Sequence, residues 1–469
     1  MLRILFAGKP GLLASALIAL SAVSGVSKID GKPFNAALID LARAGYVEEE
    51  FFITGTAKTY DIPRDQMSNG TASDASHPFK TRIVVRRPAS AAKFNGTVVV
   101  EWTNVSEGFD NEVEWFHSQE HFVRAGYAWV GVSAQNVGVA ALKQRMGERY
   151  GSLDVTDGGS VGGDGLSYDI FTAAGLAVRG KGGQNVMGPL RVERLIASGH
   201  SQSAGRLATY FNAVHPLTPA VYDAVLLHGG GGRMRPDLVV KIWKLLAETD
   251  VLGQVAVRRP DSDKFGTWEV AGVSHLDYTH AAELVKLGLR SKATMLPNPP
   301  PSPPPSATGT ARPGGANATP GPYNGCMHPP LSRIPGEYVQ NALYDHMARW
   351  VKEGTPPPSA PPIEIVMENG KPVIDRDSFG NALGGIRLAE HGVATAVNSG
   401  ENTGTAFCSL TGWHEDFDRT RLSMLYSSHN SYVSDVKVAT EKNVKAGYIL
   451  RGDAAKTIAA AEQSSVGVK

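Results

Sequence analysis

Short runs of β-branched and aromatic residues recur along the first 275 positions, separated by stretches whose apolar residues fall three or four apart. The first pattern has the period of strands and the second that of helices. Residues 81–87 and 97–102 (TVVVEW) read as strands; a helix follows over 112–124 with Trp115, Phe116, Phe122 and Val123 on its apolar face, then a strand over 127–133 (YAWVGVS). A helix is expected at 167–178, a strand at 194–198 (RLIAS), and a helix at 202–214 that stops before Pro216. Further strands are expected at 223–227, 242–247 and 267–270. Alternation of this kind predicts an α/β chain with a mostly parallel sheet flanked by helices.

Two stretches break the pattern. Residues 138–165 are rich in glycine and lack a period, which reads as a surface excursion. After a helix at 279–289, residues 297–322 are dense in Pro, Gly and Ser and can form neither helix nor central strand, so they make a linker or a loop over the site. Residues 338–351 (YVQNALYDHMARWV) have the spacing of a packed helix, and the chain from 354 onward mixes extended and helical patterns. At the other end, Arg3 and Lys9 precede an apolar run over 11–23 that closes in small residues, the layout of a cleavable secretory signal; an N-terminal buried or amphipathic helix fits the same residues. The expected organisation is a signal over 1–25, a core over 26–295, a linker or covering loop over 296–334, and a final core helix with an accessory region over 335–469.

Composition narrows the function classes. With 46 basic and 45 acidic residues the net charge is +1, which provides no basic face for nucleic acid. No segment after the first 25 residues is apolar enough to span a bilayer, so stable membrane insertion is not expected. Two cysteines, Cys326 and Cys408, suit either one disulfide in an exported protein or two buried thiols. The sequons at Asn69, Asn95, Asn104 and Asn317 bear on the protein only in a glycosylating host.

The candidate chemistry begins at Gly199-His200-Ser201-Gln202-Ser203, between a strand of buried type and a helix. A serine hydroxyl becomes a useful nucleophile when a tight turn holds it clear of the backbone and within reach of a base. The flanking positions of such a turn must be small; here Ser203 stands where G-x-S-x-G has its second glycine. The same residues also describe an ordinary helix N-cap. As a nucleophile turn, it would offer the N–H of Gln202 to an oxyanion, with a second donor from the loop after residues 97–102, around Asn104, Val105 and Ser106; Val105 is the chosen candidate.

Of thirteen histidines, His275 is the best placed base, because it follows the strand at 267–270 on a small-residue loop late in the chain. His200 should diverge from Ser201, His215 ends a helix beside Pro216, and His228 is the rival. The acid is expected in Ala247-Glu248-Thr249-Asp250-Val251-Leu252, with Asp250 preferred and Glu248 the alternative. This run resembles the acid segment of hormone-sensitive-lipase-like esterases. Ser, then Asp, then His is also the chain order of α/β-hydrolases.

Five stretches resemble a bacterial and fungal family of alpha/beta hydrolase domain proteins: ASGHSQSAGRLATYFNAVHP (197–216), AETDVL (247–252), WEVAGVSHLDY (268–278), Pro356-Pro357-Pro358, and GNALGGIRL (380–388). The resemblance covers most of the chain from about Phe51 and implies an α/β-hydrolase fold, with Ser201, Asp250 and His275 in triad roles and the C-terminal region part of the same unit. The run at 297–305 is longer than the family requires. The expected activity is hydrolysis of a small-molecule carboxylic ester by a secreted or periplasmic enzyme without metal or organic cofactor. An amidase, peptidase or acyltransferase with the same triad is the alternative, and a non-catalytic binding module a third.

Overall fold

The structure is a computed structural model that describes residues 22–291, 325–404 and 407–468. Strands β1 (Ala22–Ile29) and β2 (Tyr46–Ala57) open the chain, a small ribbon β3 (Tyr60–Asp61) and β4 (Thr71–Ala72) follows, and β5 (His77–Pro88) runs back along β2. Then come β6 (Thr97–Trp102), α1 (Val113–Ala125), β7 (Ala128–Val132), α2 (Asn136–Arg145), α3 (Gly147–Tyr150) and α4 (Ser167–Val178). The second half of the core holds β8 (Arg194–His200), α5 (Gln202–Thr209), β9 (Ala224–His228), β10 (Lys241–Ala247), α6 (Glu248–Gln254), β11 (Phe265–Val270), α7 (Tyr278–Ser291) and α8 (Gly336–Glu353).

Nine strands form one sheet in the order β1-β2-β5-β7-β6-β8-β9-β10-β11. From β7 to β11 all neighbours are parallel, while β1, β2 and β5 are antiparallel to theirs. Every residue of β6, β7 and β8 is buried, which is why these segments read as continuous apolar runs. One face packs on α4 and α5, where Trp102 meets Phe171 at 4.9 Å; the other packs on α1 and α8 through Trp115, Trp129, Tyr344 and Trp350. The strand order reverses around β6, and in open α/β sheets the crevice beyond the strand ends at such a point is where ligands bind.

Two features differ from the sequence-based expectation. Strands β1 and β2 were not foreseen, because Glu48, Glu49 and Glu50 interrupt the apolar pattern of β2. These carboxylates meet Arg86, Arg87 and Arg82 of β5 at 2.6–2.7 Å, so the charges are compensated across the two strands. The stretch 138–165 is no bare excursion: it carries most of α2 and all of α3, and buries Tyr150, Leu153 and Val155 against the sheet. Of the segment read as a signal, residues 1–21 lie outside the described residues and residues 22–25 open β1. The Pro-rich run at 297–322 lies outside them altogether.

Beyond α8 the chain forms a ribbon, β12 (Ile365–Glu368) and β13 (Lys371–Ile374), then α9 (Ala389–Gly392), β14 (Ala396–Ser399), α10 (Cys408–Thr411), β15 (Trp413–Asp416), α11 (Arg419–Leu425), α12 (His429–Ala446) and α13 (Arg451–Glu462). Strand β14 pairs antiparallel with β15. Ile386 bonds in register with Glu269 and Ala271 at the outer edge of β11, so this part of the chain continues the sheet. A disulfide joins Cys326 to Cys408 and fastens the segment before α8 to α10. Among the described residues no helix is long and apolar enough to cross a membrane.

Cross-linking positions 82 apart removes much freedom from the unfolded chain. Reduction, or Cys326→Ser with Cys408→Ser, is expected to lower stability by about 2–4 kcal/mol. Urea unfolding with and without reductant measures it; equal midpoints would show that the cross-link adds no stability.

Candidate active site

Strand β8 ends at His200, and the next residue turns the chain into α5. Ser201 takes φ 60° and ψ −117°, a conformation that costs a non-glycine residue roughly 1–3 kcal/mol. The turn is held from two sides: the N–H of Ser201 donates to the carbonyl of His228 at 2.8 Å, and the Asn104 side-chain amide donates to the carbonyl of His200 at 2.9 Å. Strand and helix approach so closely that a Cβ on Gly199 would lie 2.9 Å from Cβ of Ser203. Ser203 is fully buried over that glycine, so the departure from G-x-S-x-G costs no clash.

His275 stands on the loop between β11 and α7. Its Nε2 lies 2.7 Å from Ser201 Oγ and its Nδ1 2.6 Å from Asp250 Oδ1. Asp250 is in the first turn of α6, and its second carboxylate oxygen accepts the N–H of Ala247 at 2.9 Å, which fixes the group at the helix start. The loop itself is pinned by Thr249, whose hydroxyl accepts the N–H of His275 at 3.1 Å and donates to the carbonyl of Gly400 at 2.5 Å. Burial alone would lower the pKa of His275; the charge and hydrogen bond of Asp250, with a smaller contribution from Asp277, more than offset this and leave it above the ordinary 6.5.

The other sequence candidates stand outside this row. Glu248, the alternative acid, faces away from His275: its carboxylate accepts the N–H groups of Gly272 and Gly400 and meets Arg376 at 2.8 Å. His228 reaches Glu114 at 3.3 Å. His200 lies against His275 with ring centres 4.5 Å apart and the rings tilted by 37°, and burial followed by the neighbouring imidazoles holds its pKa well below the usual histidine range. His215 is pushed down to about 4 by burial. Gln202 occupies the first position of α5, and Val105 lies in the loop that Asn104 ties to the turn. Neither backbone N–H donates a hydrogen bond among the described residues.

Sequence reasoning did not find Thr249, nor the buried polar residues Glu114 and His117 on α1 that approach this site from the α1–α8 face. Thr249 sits inside the acid segment with nothing in its spacing to mark it. Glu114 and His117 are polar residues inside a helix expected to bury only its aromatic face. Among the described residues no group of three His, Cys, Asp or Glu side chains is arranged to hold a metal ion.

With a serine hydroxyl, an imidazole and a carboxylate in a hydrogen-bonded row beside a helix N-terminus, the arrangement can deliver an oxygen nucleophile and accommodate developing negative charge. Among solved structures the chain is similar to a serine hydrolase without lid, XC6422 from Xanthomonas campestris, at 15% identity over 52% of this chain and 97% of that one, TM-score 0.28. It is similar to a fungal esterase from Rhizomucor miehei at 11% identity over 54% and 90% of the two chains, TM-score 0.28. A third similarity is to the rice cell wall degrading esterase LipA from Xanthomonas oryzae, at 12% identity over 44% and 49%, TM-score 0.23. No curated protein matches the sequence. The family model described as "Alpha/beta hydrolase domain" matches residues 20–459, and the chain belongs to that family.

Proposed function

We propose that the protein is a serine hydrolase acting on carboxylic esters of small molecules. The observation that carries this reading is the continuous row from Asp250 through His275 to Ser201, with contacts of 2.6 and 2.7 Å. In the proposed cycle Ser201 Oγ attacks the ester carbonyl as its proton passes to His275 Nε2, and the carbonyl electron pair moves onto oxygen. The N–H groups of Gln202 and Val105 bind that oxyanion. When the tetrahedral species collapses, the C–O bond to the alcohol breaks and the leaving oxygen takes the proton from His275. Water then repeats the sequence on the acyl-enzyme, releasing the acid and returning the proton to Ser201.

Asp250 holds His275 in the tautomer with hydrogen on Nδ1 and offsets the charge of the imidazolium. Glu248, bonded to the β11–α7 loop and to Gly400, serves as a structural anchor in this reading. The Cys326–Cys408 bridge suits an oxidising compartment, which supports a secreted or periplasmic location.

Turnover of short-chain nitrophenyl esters and labelling by a fluorophosphonate test the assignment. Ser201→Ala is expected to lose labelling and to drop kcat/KM at least about a thousand-fold; equal labelling in the variant would sink it. Asp250→Asn should lose a similar factor with the fold intact, whereas Glu248→Gln should weaken stability by about 1–3 kcal/mol and leave the shape of the pH profile alone. Because the base must be neutral and its pKa is raised, kcat/KM should fall as pH drops, with a half-maximal point above 6.5. A point below 6.5 would show that Asp250 and Asp277 do not outweigh the effect of burial on His275.

A further inference from the structure

Behind His275 lies a cavity of about 20 Å³, lined by His117, His228, Asp277, Glu337 and Gln340 as well as His275 itself. That is room for about one water molecule. Asp277 stands two residues past His275 and is buried. Its Oδ1 accepts from His117 Nε2 at 3.2 Å and from the N–H of His280 at 2.9 Å. No hydrogen bond joins it to His275, so its influence on that ring is carried by charge across the cavity. His117 Nδ1 and Glu337 Oε2, on two residues that line the same cavity, are buried without a partner among the described residues.

Burial alone would lower the pKa of His117, but Asp277 and then Glu337 and Glu114 raise it to about 9. Burial raises Asp277, and His117 with the His280 N–H brings it below the usual carboxylate range. The two therefore form a buried ion pair at neutral pH. His280 is pushed down to about 3 by burial and His117, and His200 is also held low, so both of these neighbours are neutral. Glu337, on α8, is pushed up to about 7 by burial and by Asp277. Glu114, from α1, is held below its ordinary value by His228, Tyr344 and His117 against burial. Asp277 and Glu337 also border a second cavity of about 400 Å³ whose titratable lining includes Arg333, Glu390, His414 and Asp416.

We propose that Asp277 is a second carboxylate serving His275: a positioning residue whose negative charge favours the imidazolium formed during acyl transfer, while His117 restrains it. This rests on His275 being the base of the hydrolase reading. Asp250 aligns the ring through a hydrogen bond; Asp277 adds field without fixing direction. His117 takes up part of that field, so the pair sets how readily His275 accepts the proton of Ser201 and how readily it surrenders it to the leaving group.

Opposite shifts from the two members of one ion pair are the signature, because a purely structural role would move both variants alike. The pH dependence of kcat/KM is measured on a short-chain nitrophenyl ester, alongside NMR titration of the His275 ring, for the wild type, Asp277→Asn, His117→Gln and the double variant. Asp277→Asn should move the acid limb and the ring titration down by roughly one pH unit. His117→Gln should move both up, and the double variant should return close to the wild type. Shifts of the same sign, or a loss of kcat with an unmoved limb, would overturn the proposal. Should Asp277→Asn fail to fold, His117→Gln still decides by direction: an upward shift supports the proposal, and no shift or a downward one defeats it. If the wild type turns over no ester, the hydrolase reading falls and the ring titrations alone judge the coupling. If turnover is normal and neither readout moves, the coupling alone fails.

Discussion

An imidazole that meets Asp250 with one nitrogen and Ser201 with the other has no rotation left to it, and each segment bearing one of the three must be placed to a fraction of an ångström. The rest of the fold can be understood as the means of meeting that constraint. Ser201 is set by the parallel strands on either side of β8 and by the bond to the carbonyl of His228 at the end of β9. Asp250 is set by the start of α6. His275 has the hardest task, since it stands on a loop, and there Thr249, Gly400 and Leu410 supply the backbone contacts that a strand would otherwise give. Gly400 and Leu410 come from more than a hundred residues downstream, so the placement of the imidazole draws on the C-terminal part of the chain.

Much of this could be read from the sequence, for physical reasons that vary by element. Strands β6 to β11 are buried on both faces or nearly so, and their apolar runs announce them. The turn at Ser201 was legible because a strand, a glycine and a helix leave few alternatives to a tight bend. Asp250 and His275 were singled out by their position after later strands and by resemblance to known segments, and the fold brings both into one hydrogen-bonded row with Ser201. Strand β2 was hidden because its acidic residues find arginine partners only after the chain folds. The same holds for Glu114, His117 and Asp277: one sequence shows polar residues, but burial and pairing arise from α1, α7 and α8 coming together.

Buried polar groups are concentrated on the α1–α8 side of the sheet. Glu101 on β6 accepts the N–H groups at the start of α1 and the indole of Trp129, and burial together with Glu114 drives its pKa well above the carboxylate range. Glu114 itself receives Gln340, Tyr344 and His228. Satisfied in this way, such groups specify one packing, since a slipped helix would leave charges unpaired in an apolar setting. On the α4–α5 side the packing is chiefly aliphatic, with an aromatic cluster of Phe171, Tyr210 and Tyr222 within it. The two layers thus differ in kind: one is filled by apolar side chains, and the other carries buried carboxylates and imidazoles beside His275.

The pairing of Ile386 with the edge of β11 has a meaning of another sort. An open edge of a sheet is a template on which a further strand, from this chain or another, can add. Here the chain covers that edge with its own later residues, and Trp268 beneath it donates to the carbonyl of Pro358 and packs on Tyr448. The sequence after α8 therefore acts as the sheet's border. A chain shortened to the strands and helices before it would keep its serine and lose its histidine's supports, and would also present a bare edge to its neighbours, with self-association as the result.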